Sequence, residues 1–158
     1  MSLRITILSR KGGSGKSCLS ANLAVALGLP IIDLDPQGTS YLWGTRRSTG
    51  QVVTVATAVT LPAAIAPLDG FIIDTAPHAD ADSLAAARFA DRILIPLQPT
   101  QPDIDALPAA LDLARLAERP VAVVISRAAP RSRHADLIAY LQGMDVTVAP
   151  VLVRNRAA

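Results

Sequence analysis

The chain has 158 residues, 51% hydrophobic and 18% charged, with a formal net charge of +2, which excludes intrinsic disorder and fits one domain of the usual size of roughly 100–200 residues. Its one cysteine, Cys18, excludes a disulfide framework and any cysteine-rich zinc or iron–sulfur site made by this chain alone. No apolar run reaches the roughly 18–20 residues of a membrane-spanning helix, and the N-terminus enters a strand-like run without a signal peptide, so a cytoplasmic protein is expected.

In chain order, Leu3–Leu8 is a β-branched apolar run that predicts a strand, and Ser9–Gly15 a glycine-rich loop. Leu19, Leu23, Ala26 and Leu27 have helical spacing, which predicts a helix over 16–27 ended by Gly28 and Pro30. A second strand is expected over 30–34, a loop over the Gly-, Ser- and Thr-rich residues 36–51, a strand over 52–55 and a helical turn or two over 61–66. Phe71-Ile72-Ile73-Asp74 is continuously apolar up to its acid, as a strand buried on both faces of a parallel sheet must be. The remaining chain predicts a helix over 80–90, a strand over 92–97, and a helix over 102–118 that Pro108 should kink. A strand over 121–125, a helix over 132–142 and a strand over 146–153 broken by Pro150 complete the series. This alternation predicts an α/β domain over 1–158, a mostly parallel sheet flanked by helices on both faces. The closing helix such a sheet would use is not visible before Ala158.

The cations are unevenly chosen: thirteen are arginines, and the only lysines, Lys11 and Lys16, fall within seven residues of each other. Lys11-Gly12-Gly13-Ser14-Gly15-Lys16-Ser17, between a strand and a helix, has the context and composition of a phosphate-binding loop. Glycines let backbone N–H groups turn inward onto phosphate oxygens, and the helix N-terminus adds partial positive charge. In such a loop Lys16 reaches the β- and γ-phosphates and the Ser17 hydroxyl holds Mg²⁺. Arg10 stands where the general pattern has its first glycine, and the dinucleotide pattern G-x-G-x-x-G fails at Cys18. Two acidic segments are expected on the same rim, because ligands of open parallel sheets sit beyond the C-terminal strand ends. They are Asp33-Leu34-Asp35-Pro36-Gln37-Gly38 and Phe71–Pro77, which carries Asp74. His78, Asp80 and Asp82 are accounted for by the helix that follows, whose N-terminus favours acids. His134 is expected at the surface.

The loop K-G-G-x-G-K-S, with its second lysine, resembles that of the deviant Walker A ATPases of the ParA/MinD type. The D-x-D-P-Q-G run, Ile73-Asp74-Thr75-Ala76-Pro77, Pro96–Thr100, Val123–Arg127 and Pro150–Arg156 are also similar to segments of small ParA partition ATPases. Ala76 replaces a proline usual in that family, and Ser126 an asparagine. The resemblance implies a P-loop NTPase fold and ATP hydrolysis. It places nucleotide on Lys11 through Cys18 (Gly12, Gly13, Ser14, Gly15, Lys16 and Ser17 between them) and on Arg127, and Mg²⁺ on Ser17, Asp33 and Asp74. Lys11 is implied to cross a homodimer interface in the ATP state, and Asp35 to position the attacking water. The absence of an N-K-x-D motif favours ATP over GTP.

The basic excess outside the loop is C-terminal, with Arg127, Arg131, Arg133, Arg154 and Arg156 set against Asp136 and Asp145. Together with the resemblance, this implies non-specific DNA binding through Arg131, Arg133, Arg154 and Arg156, a nucleoid-associated location, and a ParB-type adaptor that stimulates hydrolysis. Two other roles use the same scaffold: a MinD-type membrane-cycling switch, and an ATP-dependent synthetase of the cobyrinic-acid type. The first needs an amphipathic C-terminal helix and the second a substrate module, and neither is visible in these residues.

Overall fold

In the computed structural model, residues 3–47, 50, 52–78, 80–128 and 134–154 are described. Strand β1 (Arg4–Ile7) leads through the glycine-rich loop into α1 (Lys16–Leu27), and β2 (Ile31–Asp33) follows. Next come α2 (Thr39–Thr45), β3 (Val53–Val55), α3 (Leu61–Ile65), β4 (Phe71–Asp74), α4 (Asp80–Arg88) and β5 (Arg92–Leu97). The last elements are α5 (Gln101–Leu116), β6 (Val121–Ala128), α6 (Ala135–Gly143), β7 (Thr147–Val148) and β8 (Val153–Arg154). Every described strand pair is parallel, in the order β3-β2-β4-β1-β5-β6-β7, with β8 also on β6. β1 thus lies at the centre, where the order reverses. Loops beyond the strand ends there form the crevice that open α/β sheets use for ligands.

Alternate residues of each strand face opposite sides of the sheet. On β1, Ile5 and Ile7 pack with Leu19 and Ala24 of α1, and Ile31 and Ile72 join them. Phe71 and Ile73, one step out of phase on β4, pack with Leu61 and Ile65 of α3 on the other face. The largest cluster joins Ile93, Ile95 and Leu97 of β5 to Leu107, Ala110, Leu111 and Ala114 of α5 and to Leu141 of α6. Helices therefore cover both faces, as the sequence predicts. Among the described residues no helix is long and apolar enough to cross a membrane.

Two expectations are corrected, for residues 36–51 and for His134. The predicted loop over 36–51 contains α2, whose amides bond to an acid outside the helix: Tyr41 N–H donates to Asp33 Oδ2 at 2.9 Å. As expected, a helix, α5, spans Pro108, which forfeits one backbone bond while buried side chains hold the helix on the sheet. The last strand is interrupted at Pro150, also as expected, into two short pieces, β7 and β8. His134 is buried, at the N-cap of α6.

Ile72 has no exposed surface and lies in the middle of the sheet against α1. Ile72→Ala is expected to lower the unfolding free energy by roughly 2–5 kcal/mol in guanidinium titrations. A loss below about 1 kcal/mol would mean that the site collapses around the deletion.

Candidate functional site

The parallel register fixes the site before any side chain is considered. Ile7 at the end of β1 pairs with Asp74, and Asp74 pairs with Asp33 at the end of β2. Both acids therefore lie on the rim from which the glycine-rich loop departs. Gly13 (φ 77°) and Gly15 (φ 103°) adopt left-handed conformations that residues with a Cβ rarely accept. Gly15 is also the N-cap of α1 and supplies no side-chain cap. The helix has no acid in its first turn either, so its first amides remain available to an anion. Above Gly12 and Gly13 there is open space, with nothing within 4 Å of where a Cβ would stand.

Lys16 is buried at the start of α1, and its Nζ donates to the Lys11 carbonyl at 3.4 Å. Burial pushes its ammonium below the usual lysine range, while Asp74 and then Asp35 pull it back up. Asp74 is fully buried. Its Oδ2 accepts a 2.6 Å bond from the Ser40 hydroxyl, whereas Oδ1 has no hydrogen-bond partner among the described residues. Burial raises Asp74 to about 6, against the opposing pull of the Ser40 and Ser17 hydroxyls. Asp33 is equally buried and also raised by burial, but its oxygens accept the backbone N–H groups of Asp35 (3.0 Å) and Tyr41 (2.9 Å). Asp35 is half-buried and its Oδ1 accepts the Gln37 N–H at 2.9 Å.

An unpartnered buried carboxylate oxygen has a desolvation cost that only a ligand or water removes. Asp74 Oδ1, the half-buried Ser17 and the open amides of α1 fit a hydrated Mg²⁺ beside phosphates, since Mg²⁺ takes one or two carboxylates, waters and phosphate oxygens. Asp33 stands behind them with its backbone bonds made. Along α1 a cleft of about 720 Å³ is lined by Gly15, Cys18, Asn22, Ser126, Arg127, Leu152 and Arg154, among others. That volume lies within the usual range of roughly 300–1,000 Å³ for small-molecule sites. Loop, acids and cleft are therefore contiguous around the first turn of α1.

The profile of the CobQ/CobB/MinD/ParA nucleotide binding domain matches residues 5–157. The chain belongs to this family. A curated relative, maintenance of carboxysome distribution protein A of Gloeobacter kilaueensis, is 31% identical over 113 residues, 65% of this chain and 52% of that protein. The chain thus spans about half the length of the curated relative it matches. Nucleotide-free McdA from Cyanothece superposes with a TM-score of 0.82 at 19% identity, covering 99% of this chain and 87% of that one. Cobyrinic acid a,c-diamide synthase from Mycobacterium smegmatis, solved with ADP and magnesium, gives 0.74 at 17% identity over 100% and 89% of the two chains. At these identities the likeness is one of fold, and it is that of the CobQ/CobB/MinD/ParA domain.

Within this nucleotide-binding domain the structure brings together the loop 11–17, Asp33, Asp35 and Asp74, and puts Cys18, Arg127 and Arg154 on the cleft. Arg131, Arg133 and Arg156 lie outside the described residues. Three partners were not legible as such in the sequence. The Gln98 side chain donates to the Gly13 carbonyl, Ser126 Oγ donates to the Ser14 carbonyl at 2.9 Å, and Lys11 forms an ion pair with Asp103 of α5. Pro96–Thr100 and Val123–Arg127 stand out in the sequence as segments, but nothing in their spacing marks these contacts.

Asp74 gives the site a pH signature. A carboxyl raised from 3.8 to about 6 on folding binds its proton more tightly folded than unfolded. Ionising it therefore costs the nucleotide-free protein stability as pH rises from about 4 to above 6, on the order of 2–3 kcal/mol. Asp74→Asn keeps an acceptor for Ser40 without the charge. In thermal melts with chelator and no nucleotide it is expected to be more stable than the parent at pH 8 and to converge with it near pH 4. A gap that stays constant across that range would show that Asp74 is not the titrating group.

Proposed function

We propose that this chain is a ParA-like ATPase that dimerises on ATP and Mg²⁺, binds DNA without sequence preference and positions a cargo inside the cell. The observation that carries this reading is the buried Lys16 ammonium, set at the open N-terminus of α1 within the electrostatic reach of Asp74 and Asp35. Bound ATP with Mg²⁺ supplies the transferable phosphoryl group. The loop amides and Lys16 bind and neutralise its phosphates, Ser17 and Asp74 hold the metal, and Asp33 supports them. Asp35, half-buried on the same rim, orients the attacking water. Catalysis is then a matter of positioning and charge stabilisation, which is what phosphoryl transfer requires of a protein. Arg127 lies on the nucleotide cleft.

The relative named for the maintenance of carboxysome distribution supports cargo positioning over plasmid partition as the cellular task. In this reading a ParB-type or other adaptor stimulates hydrolysis and releases the dimer from the nucleoid. Arg131, Arg133, Arg154 and Arg156 provide the DNA contacts, by phosphate neutralisation and counterion release.

Lys11 is half-exposed at the loop entrance, and its ion pair with the buried Asp103 is made within the one chain. For Lys11 to reach the nucleotide of a second subunit it must leave that carboxylate. Asp103 then keeps the Thr100 hydroxyl and its place in the first turn of α5.

Light scattering on a sizing column tests this directly. With ATP and Mg²⁺ the 16.5 kDa chain is expected to double in mass, and with ADP it should not. Lys11→Ala should remain monomeric, while Asp103→Asn, which releases Lys11, should dimerise at a lower ATP concentration than the parent. Dimerisation of Lys11→Ala at the parent's ATP concentration would refute the cross-subunit role. Separately, duplex DNA of arbitrary sequence should shift in a gel with ATP and not with ADP, and the shift should weaken steeply with salt. Equal shifts with both nucleotides, or none with either, would remove the DNA-binding part of the reading.

A further inference from the structure

Two side chains outside the phosphate loop and its acidic segments hold the loop by its outward-facing carbonyls. Gln98 follows β5 directly, and Ser126 lies in β6. The two strands are paired with Leu97 opposite Ile125, so Gln98 and Ser126 are the next residues on neighbouring strands. Gln98 Nε2 donates to the Gly13 carbonyl, and Ser126 Oγ, buried, donates to the Ser14 carbonyl at 2.9 Å. The carbonyls are consecutive, one peptide apart.

Peptide geometry gives these contacts a directional meaning. No described peptide bond is cis, and in a trans peptide the C=O and the next N–H point to opposite sides. With the Gly13 carbonyl held on Gln98, the Ser14 N–H is turned away from β5. With the Ser14 carbonyl held on Ser126, the Gly15 N–H is turned away from β6. The left-handed Gly13 and Gly15 are what allow successive amides to converge on one concavity, the arrangement that binds anions. Among the described residues a third carbonyl, that of Lys11, is held by Lys16 at 3.4 Å, a donor that the nucleotide itself would recruit.

We propose that Gln98 and Ser126 are positioning residues that clamp the Gly13 and Ser14 carbonyls and so preorganise the loop's amides for nucleotide phosphates. This rests on the reading of the loop as a nucleotide site. The two residues touch no phosphate; they remove the cost of ordering the loop at the moment of binding. Gln98 is not among the residues that line the cleft, so its effect is confined to the phosphate part of a ligand, whereas Ser126 also lines the cleft. Ser126 is also a departure from the asparagine that ParA-type segments carry there. A hydroxyl is short enough to reach a carbonyl lying directly against β6.

The test titrates ADP with Mg²⁺, and adenosine by competition, into the parent protein, Gln98→Ala, Ser126→Ala and Ser126→Thr. Each alanine variant is expected to weaken ADP by about three- to tenfold, the loss of one neutral hydrogen bond, and Gln98→Ala, which lies off the cleft, to leave adenosine within about twofold of the parent. Ser126→Thr, which keeps the hydroxyl, should bind ADP as the parent does. Thermal melts without nucleotide check that each variant is folded, and Gln98, half-buried outside any element, provides a variant that folds even if Ser126→Ala does not. Equal losses for ADP and adenosine in Gln98→Ala would overturn the clamp in favour of general damage to the cleft. Unchanged ADP binding in both alanine variants would overturn the clamp and leave the nucleotide reading standing. A parent that binds no ADP would remove both.

Discussion

A buried ammonium facing buried carboxylates at one end of a parallel sheet is the constraint on which the rest of this structure depends. Lys16, Asp33 and Asp74 are each almost wholly out of solvent, a placement that is costly unless the charges are paired and bonded. The chain compensates in different ways for each. Asp33 takes two backbone amides, Asp74 takes a serine hydroxyl and keeps one oxygen open, and Lys16 leans on a loop carbonyl. Among the described residues the unsatisfied remainder, Asp74 Oδ1, the buried Ser14 hydroxyl and the donors at the start of α1, is available to a ligand. The difference between Asp33 and Asp74 is thus one of accounting for lone pairs rather than of position.

The seven-residue α2 shows how closely this charged rim and the surrounding fold are joined. Its Tyr41 amide lies on Asp33 and its Ser40 hydroxyl on Asp74. Helix and acids hold each other, so the segment between β2 and β3 is part of the site's support. Its exposed Tyr41 and Leu42 and its largely unburied surface explain why no apolar stripe announces it.

What could be read from the sequence follows from how local each determinant is. β4 was legible because a strand buried on both faces must be apolar throughout, and its terminal acid marks the rim. The loop was legible because its glycines, lysine and serine are adjacent. α2 was not, since its residues are poor helix formers and the helix is held by acids outside it. Lys11 and Asp103 are 92 positions apart, and Ser126 and Ser14 are 112 apart, so no spacing rule reaches them. His134 shows the same limit: the arginines near it in sequence suggest the surface, yet at the N-cap of α6 it is buried. The two lysines in a chain that otherwise uses arginine were a truer guide. A compact ammonium on a flexible stem can bridge a carbonyl of its own loop, as Lys16 does, where a planar guanidinium fork is less suited.

The central place of β1 has a consequence for how the chain is made. It is the first of the described strands to be synthesised, yet Ile5 finds its partners only in Ile72 on one side and Arg92 on the other. At the usual rate of roughly 5–20 residues per second, β1 waits for several seconds on the ribosome without a neighbour. During that time an apolar strand with two unpaired edges precedes a glycine-rich loop that has no shape of its own. The loop's clamp is complete only once Ser126 of β6 has been made, the last of the described residues whose side chain bonds the loop. By then β1, β2, β4 and β5 have all been made, so most of the sheet can pair before both loop carbonyls are held.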